Sequence, residues 1–359
     1  MLAVCFSRNT HYMDNFSIHP VSADVKTGRF RKARYFFVAM AVLFPFIVWV
    51  GFFPSYQEMK AGGLEVHWLT HAHAAIMTSW ILVFLIQALL AATGKLKYHR
   101  QLGLLSLGLG VLVLIAMGTV SFHILLVNHP PEESFLFDLL LTEGFEMASF
   151  GLFFSWGVWL RSKDTASHKR LLTLATFVLL TAAVDRAYRT YGFPSLGMEF
   201  PDVVFVYLDL LLIPMFLYDL ITMKRIHRVT WIGSAIVVVL QITVSVAWGN
   251  PSWHKFWFRV TAPMMERVIE INLSDAQSEL LLGDYESTFG KLTISRDNGK
   301  LFLQFSGQPR QEMRATSETE LFVKDEIMKI HFVISPDRNV TKATLKIVGH
   351  NYPMMKLKK

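Results

Sequence analysis

The chain has 359 residues, of which 52% are hydrophobic and only 18% charged, against about 25% charged in an ordinary soluble globule. That balance excludes disorder over most of the length, and a single cysteine, Cys5, excludes an intramolecular disulfide framework and a cysteine-rich zinc site. The net charge of +7 is read as the basic inner loops of a membrane protein rather than a nucleic-acid footprint, because the cations fall between apolar runs.

Residues 1–33 interleave His, Asn, Ser and Pro without a helical period and read as an unstructured cytoplasmic tail. No apolar stretch of signal-peptide kind precedes the first span, and Met13 is an equally good start that would remove Cys5. Runs long enough to cross a bilayer follow at Arg34–Pro54, Leu69–Thr93, Leu102–Val127, Phe137–Leu160, Leu171–Asp185, Val203–Ile221 and Val229–Trp248. The expectation is therefore an all-α seven-transmembrane helix bundle over residues 34–249, its fifth span the shortest. Lys95, Lys97 and Arg100, then Arg161, Lys163, Lys169 and Arg170, then Lys224, Arg225 and Arg228 fill alternate loops. The positive-inside rule puts those loops and the N-terminus in the cytoplasm of a bacterial inner membrane and the C-terminus outside.

Three of those inner loops share a pattern: Tyr98-His99-Arg100, Ser167-His168-Lys169-Arg170 and Ile226-His227-Arg228. A loose repeat of helical hairpins added to a first helix would produce it. Two readings are open, charge bias alone, or histidines that bind acidic headgroups or a cofactor propionate.

Residues 250–273 read as an interfacial linker, broken by Asn250-Pro251 and carrying Trp253, Phe256, Trp257 and Phe258 as an aromatic belt. Residues 274–359 read as a soluble external domain. Ser274 and Gln277 form a capping box for a short helix to Leu281. Alternating runs at 291–295, 301–305, 320–323, 328–334 and 343–348, with turns at Asp297-Asn298-Gly299 and 336–339, predict a small antiparallel barrel or curled sheet.

The series Gly283-Asp284-Tyr285-Glu286, Lys291-Leu292-Thr293-Ile294, Leu301-Phe302-Leu303-Gln304, Gly307-Gln308-Pro309 and Ser317 to Phe322 resembles a known module. It is the small lipocalin-like β-barrel domain of unknown function that follows β-lactamase-like serine hydrolases. The resemblance implies a fold and no chemistry of its own. In the membrane part, His71-Ala72-His73 with Met77 and Trp80, together with the first two loop motifs, resembles cytochrome-b-like bundles and membrane proteins of haem-copper oxidase assembly.

Ionisable groups inside spans usually face the bundle interior or water. His67 and His71, at i and i+4, share a helix face, as two metal ligands must. With His123, Glu143, Glu146 and Asp185 they form the candidate set for a transition metal. Haem is the second candidate, with His71 or His73 opposite His123, and His99 and His168 as an inner pair. The arrangement predicted is His71, His123 and Glu146 together near the external face, His73 or His67 adjacent, Asp185 and Arg186 closing the site. The competing reading makes the histidines interface residues and pairs Glu146 with Arg186 or Arg189. No P-loop, dinucleotide fingerprint or HExxH motif occurs.

The functional expectations are three. The first is a haem- or metal-binding component of respiratory or redox assembly. The second is a non-catalytic sensor or scaffold whose barrel binds a small apolar ligand or a partner protein. The third is a metal-dependent lipid hydrolase. The bilayer is the partner common to all, and nucleic acid is not one.

Overall fold

A computed structural model describes residues 23–265, 269–323 and 327–357, with side chains in the first helix from Tyr35 onward. Most of the expected tail, with Cys5 and Met13, lies outside these residues. Eleven α-helices are described: α1 (Ala23–Lys60), α2 (Trp68–Ala92), α3 (Leu96–Asn128), α4 (Leu136–Leu160), α5 (Thr165–Val178), α6 (Thr181–Tyr191), α7 (Asp202–Asp209), α8 (Ile213–Met223), α9 (Arg228–Ala247), α10 (Pro251–Thr261) and α11 (Asp275–Leu281).

Among the described residues five helical rods are long and apolar enough to cross a bilayer: α1 from Tyr35, α2, α3, α7 continued into α8, and α9. A sixth is the pair α5 and α6, bent by 46°. The expected fourth span is a 25-residue helix, α4, that carries Asp138, Glu143 and Glu146. Length and composition thus support five or six crossings rather than clearly seven.

Two expected spans are broken, each for a local reason. Pro214 at the start of α8 has no N–H to continue the ladder, and a 3-10 turn at Leu210–Leu212 takes up the mismatch. Around the break at Leu179 and Leu180, the hydroxyls of Thr173, Thr176 and Thr181 donate to backbone carbonyls three or four residues back. Such back-bonding competes with the helix ladder and bends it.

The bundle is made of hairpins. His99 Nδ1 lies 3.3 Å from the Gln87 carbonyl of α2, and His168 Nδ1 lies 2.8 Å from the Gly157 carbonyl of α4. Each ties an incoming helix to the one before it, so the loop repeat has a structural basis in these two hairpins. His227 differs, its Nδ1 accepting from Val229 N–H as the cap of α9. At Gly51 a Cβ would lie 2.3 Å from the Ala183 carbonyl oxygen, so only glycine lets α1 reach α6. Phe44, Trp80, Phe150, Phe153 and Phe177 fill the core between the helices.

The tail is a closed eight-stranded antiparallel barrel. Its strands are β2 (Gly283–Ser287), β3 (Gly290–Asp297), β4 (Lys300–Phe305), β5 (Gln311–Ser317), β6 (Glu320–Val323), β7 (Met328–Ile334), β8 (Val340–Ile347) and β9 (His350–Lys356), each paired with the next. β9 closes the ring on β2, with Tyr285 opposite Lys356. The capping box of Ser274 and Gln277 starts α11. The interior is filled by alternate side chains, among them Tyr285, Leu292, Leu303, Leu321, Ile330, Phe332 and Leu345, which is how a small barrel packs. Burial pushes the Tyr285 phenol above its ordinary value, and its hydroxyl donates to the Leu281 carbonyl at 2.8 Å.

Barrel and bundle are built into one another. A two-residue strand from the α1–α2 loop, β1 (Glu65–Val66), pairs with β9 through Glu65–Asn351 and Val66–His350. β9 meets β2 only at residues 355 and 356, so β1 occupies the part of the seam that β2 leaves open. Lys329 Nζ reaches the Val127 carbonyl at 3.4 Å and His129 Nδ1 at 3.3 Å. Ile327 and Val348 pack with Leu125, Leu136 and Phe137 at one end of the bundle, hereafter its barrel end. Much of the expected linker is α10, folded onto the start of α4.

Candidate functional site

Polar side chains line one buried face shared by three mutually packed helices, α4, α5 and α9. On α4 these are Asp138, Thr142, Glu146 and Ser149, spaced four, four and three residues apart and therefore on one side of the helix. α5 and α6 contribute Arg170, Thr173, Thr176 and Thr181, and α9 contributes Thr230, Ser234 and Gln241, all buried.

At the end of the bundle away from the barrel, Arg170 and Asp219 form a fully buried ion pair. Asp219 also accepts from His227 N–H at 3.0 Å and from the Thr230 hydroxyl. Beside it Asp164 caps α5, and the Ser167 hydroxyl and N–H hold its carboxyl below the usual carboxylate range. At the barrel end Asp138 Oδ1 lies 2.8 Å from His254 Nε2 and accepts from Gly249 N–H, also at 2.8 Å.

Between these closed ends lie the two glutamates. Glu146 is ten residues into α4, about 15 Å below its first turn at 1.5 Å per residue. Among the described residues neither Glu143 nor Glu146 has an ion-pair partner. Glu143 meets the Ser121 hydroxyl and Glu146 the Thr181 hydroxyl. Both hydroxyls already donate to carbonyls, Ser121 to Met117 and Thr181 to Val178, each at 2.9 Å. A hydroxyl has one proton to give, and in both residues it is already engaged by a carbonyl. Thr181 is also the first residue of α6, and a helix N-terminus favours the carboxylate once the proton leaves.

Among the described residues three buried hydroxyls on the same face, Thr142, Ser149 and Ser234, have no hydrogen-bond partner. An unmet buried donor costs about 1–3 kcal/mol.

The residues singled out from sequence are distributed differently from the predicted cluster. His67 caps α2 through Nδ1 and stacks on His123 with ring centroids 4.4 Å apart. His71 shares the His67 face of α2 as expected, but that face is exposed; His73, about 200° further round, is the one that turns inward. His73 meets the Ala116 backbone of α3, with Nδ1 unpartnered. Asp185 pairs with Arg189 at 2.8 Å, and the Arg186 guanidinium stacks on Phe52 at 4.7 Å. Asp185 is thus taken up by Arg189, and among the described residues neither arginine pairs with Glu146. Among the described residues no three His, Cys, Asp or Glu side chains are placed to hold a metal ion. Of the histidines expected as haem ligands, His123 is stacked on His67. The inner histidines His99 and His168 are engaged by backbone carbonyls.

The sequence reading missed Asp219 and the hydroxyl stripes. Their signal was the spacing: Thr230, Ser234 and Gln241 recur at four and seven, the period of one helix face. No protein-family model matches this chain, and its comparison with curated proteins and with solved structures returns no match. The resemblances noted from sequence thus reduce to an architecture: a multi-helix, membrane-embedded region with a C-terminal antiparallel β-barrel.

Proposed function

We propose that this chain crosses the membrane seven times and conducts protons along the buried face of α4, α5–α6 and α9. In this reading α4 is the remaining crossing. Its three acids lower its apparent hydropathy, yet Asp138 and Glu146 are buried among the other helices, where lipid does not reach them. The basic loops at the end away from the barrel support a cytoplasmic location for that end and an outer one for the barrel.

The observation that carries the proposal is Glu146, buried and, among the described residues, without a counter-ion, on a face whose hydroxyls at Thr142, Ser149 and Ser234 have no partner there. Polar groups that only glue transmembrane helices together satisfy one another. Thr142, Ser149 and Ser234 do not. Glu146 lies beside the N-terminus of α6, which favours an ionised carboxyl, and on a helix face of buried hydroxyls, a setting that suits a group exchanging protons.

The test is proton uptake into proteoliposomes loaded with a pH-sensitive dye, under an imposed potential. Wild type is expected to acidify the lumen, and Glu146→Gln to lower the rate at least tenfold. The amide still meets Thr181, so stability in the variant should change by no more than about 1 kcal/mol. Wild-type flux no greater than that of protein-free vesicles would reject the reading.

A redox component is the second reading, favoured by the unpartnered, buried Nδ1 of His73. A Soret band or stoichiometric metal in the purified protein, lost in His73→Ala, would support it over conduction.

A further inference from the structure

We propose that α10 is a lid over the barrel end of this polar face, latched by His254 onto Asp138. The inference rests on reading that face as a conducting path. Asp138 is the first member of the face, one turn above Thr142 and two above Glu146, and it is only 4% exposed. What covers it is α10. His254 Nε2 lies 2.8 Å from Asp138 Oδ1, and the same oxygen accepts from Gly249 N–H. Trp253 Nε1 donates to the Phe137 carbonyl at 2.7 Å, the residue just before Asp138.

The lid has a hinge and its own stiffness. Gly249, between α9 and α10, has φ of +69°, a conformation costly for any other residue type. Asn250 then caps α10 by accepting from Ser252 and Trp253 N–H, at 2.9 and 3.2 Å. A helix rigid in itself and joined through glycine moves as a unit. Its inner side, with Trp253, Trp257 and Phe258, packs into the cluster that holds Ile327 and Val348 of the barrel. Lys255, Phe256 and Arg259 are exposed. The barrel therefore touches the lid, and the lid covers the one carboxylate that stands between Thr142 and the barrel-side solvent.

The polarity of the latch argues for opening. Asp138 keeps its acceptors met with α10 seated, through His254 and Gly249, and lifting the helix exchanges those hydrogen bonds for water, which an apolar seal does not allow.

The experiment reads solvent access rather than proton movement. In a Cys5→Ser background carrying Thr142→Cys, reconstituted full-length protein is treated with a membrane-impermeant maleimide from the barrel side. With α10 intact, labelling should be slow. With His254→Ala and Trp253→Phe combined it should be at least tenfold faster, while His254→Gln, which keeps a donor to Asp138, stays slow. Thr173→Cys, deep in the bundle, should resist labelling throughout and so reports loss of fold. If the double variant unfolds, Asn250→Ala, which only uncaps α10, should still raise the Thr142→Cys rate at least threefold. Rapid labelling with α10 intact, or no rise when the latch is removed or α10 uncapped, overturns the lid. A lid that gates labelling in a protein without proton flux would reject conduction alone.

Discussion

Asp219 spends both of its oxygens inside the protein, on Arg170, the His227 N–H and the Thr230 hydroxyl. Asp219→Ala would leave the Arg170 guanidinium buried without a counter-charge, at an expected cost of about 3–5 kcal/mol. Replacing both partners, Arg170→Met with Asp219→Leu, should cost much less, and chemical denaturation in detergent would compare the two. Sequence made only one partner visible: Arg170 stands in a basic loop, whereas Asp219 is a lone charge in an apolar run, and the pair joins α5 to α8 across distant parts of the chain. The glutamates were legible, because two acids one turn apart inside a span are costly wherever they face. The histidine pair was half legible. Spacing shows that His67 and His71 share a face, but which way that face points is decided by the packing of α2 against α1 and α3.

At the scale of elements, the hairpins and most strands could be read from hydrophobic period and turn residues, and the capping box of Ser274 and Gln277 stands where it was expected. What escaped was interruption. The α5–α6 break has neither proline nor glycine, and arises from threonines that bond to their own backbone. β9 contains Pro353, which argues against a strand interior, yet it pairs along β8. Close helix approach was similarly hidden in Gly51. A methyl group there would meet the Ala183 carbonyl, so Gly51→Ala should wedge α1 from α6 and cost about 1–3 kcal/mol. A thermal melt in detergent would show the loss, and a midpoint equal to wild type would mean that α1 can move aside freely.

For the whole molecule, the junction between barrel and bundle carries a titratable group, His350. Burial holds its imidazole below the ordinary value, with Arg186 adding to the effect and the Val348 carbonyl and Glu58 opposing it. The folded protein therefore binds fewer protons than the unfolded chain at pH values between the lowered pKa and about 6.5, and stability falls as pH drops through that window. Protection factors along β9, with the intrinsic pH dependence of amide exchange divided out, should be smaller at pH 5 than at pH 7.5, and His350→Gln should flatten the difference. Equal protection factors at both pH values would show that the ring is not held neutral by its surroundings.

β1 has a consequence for the order in which the protein is made. Glu65 and Val66 are synthesised before α2, and their partners His350 and Asn351 follow only after the rest of the bundle and most of the barrel. The last stretch of the seam is therefore completed by a strand made long before β9. Until it docks, β9 presents unpaired backbone, an edge open to other chains and to proteases. Correct placement of the α1–α2 loop thereby becomes a condition for protecting β9, and a chain in which that loop and the barrel end up apart would expose β9 to degradation.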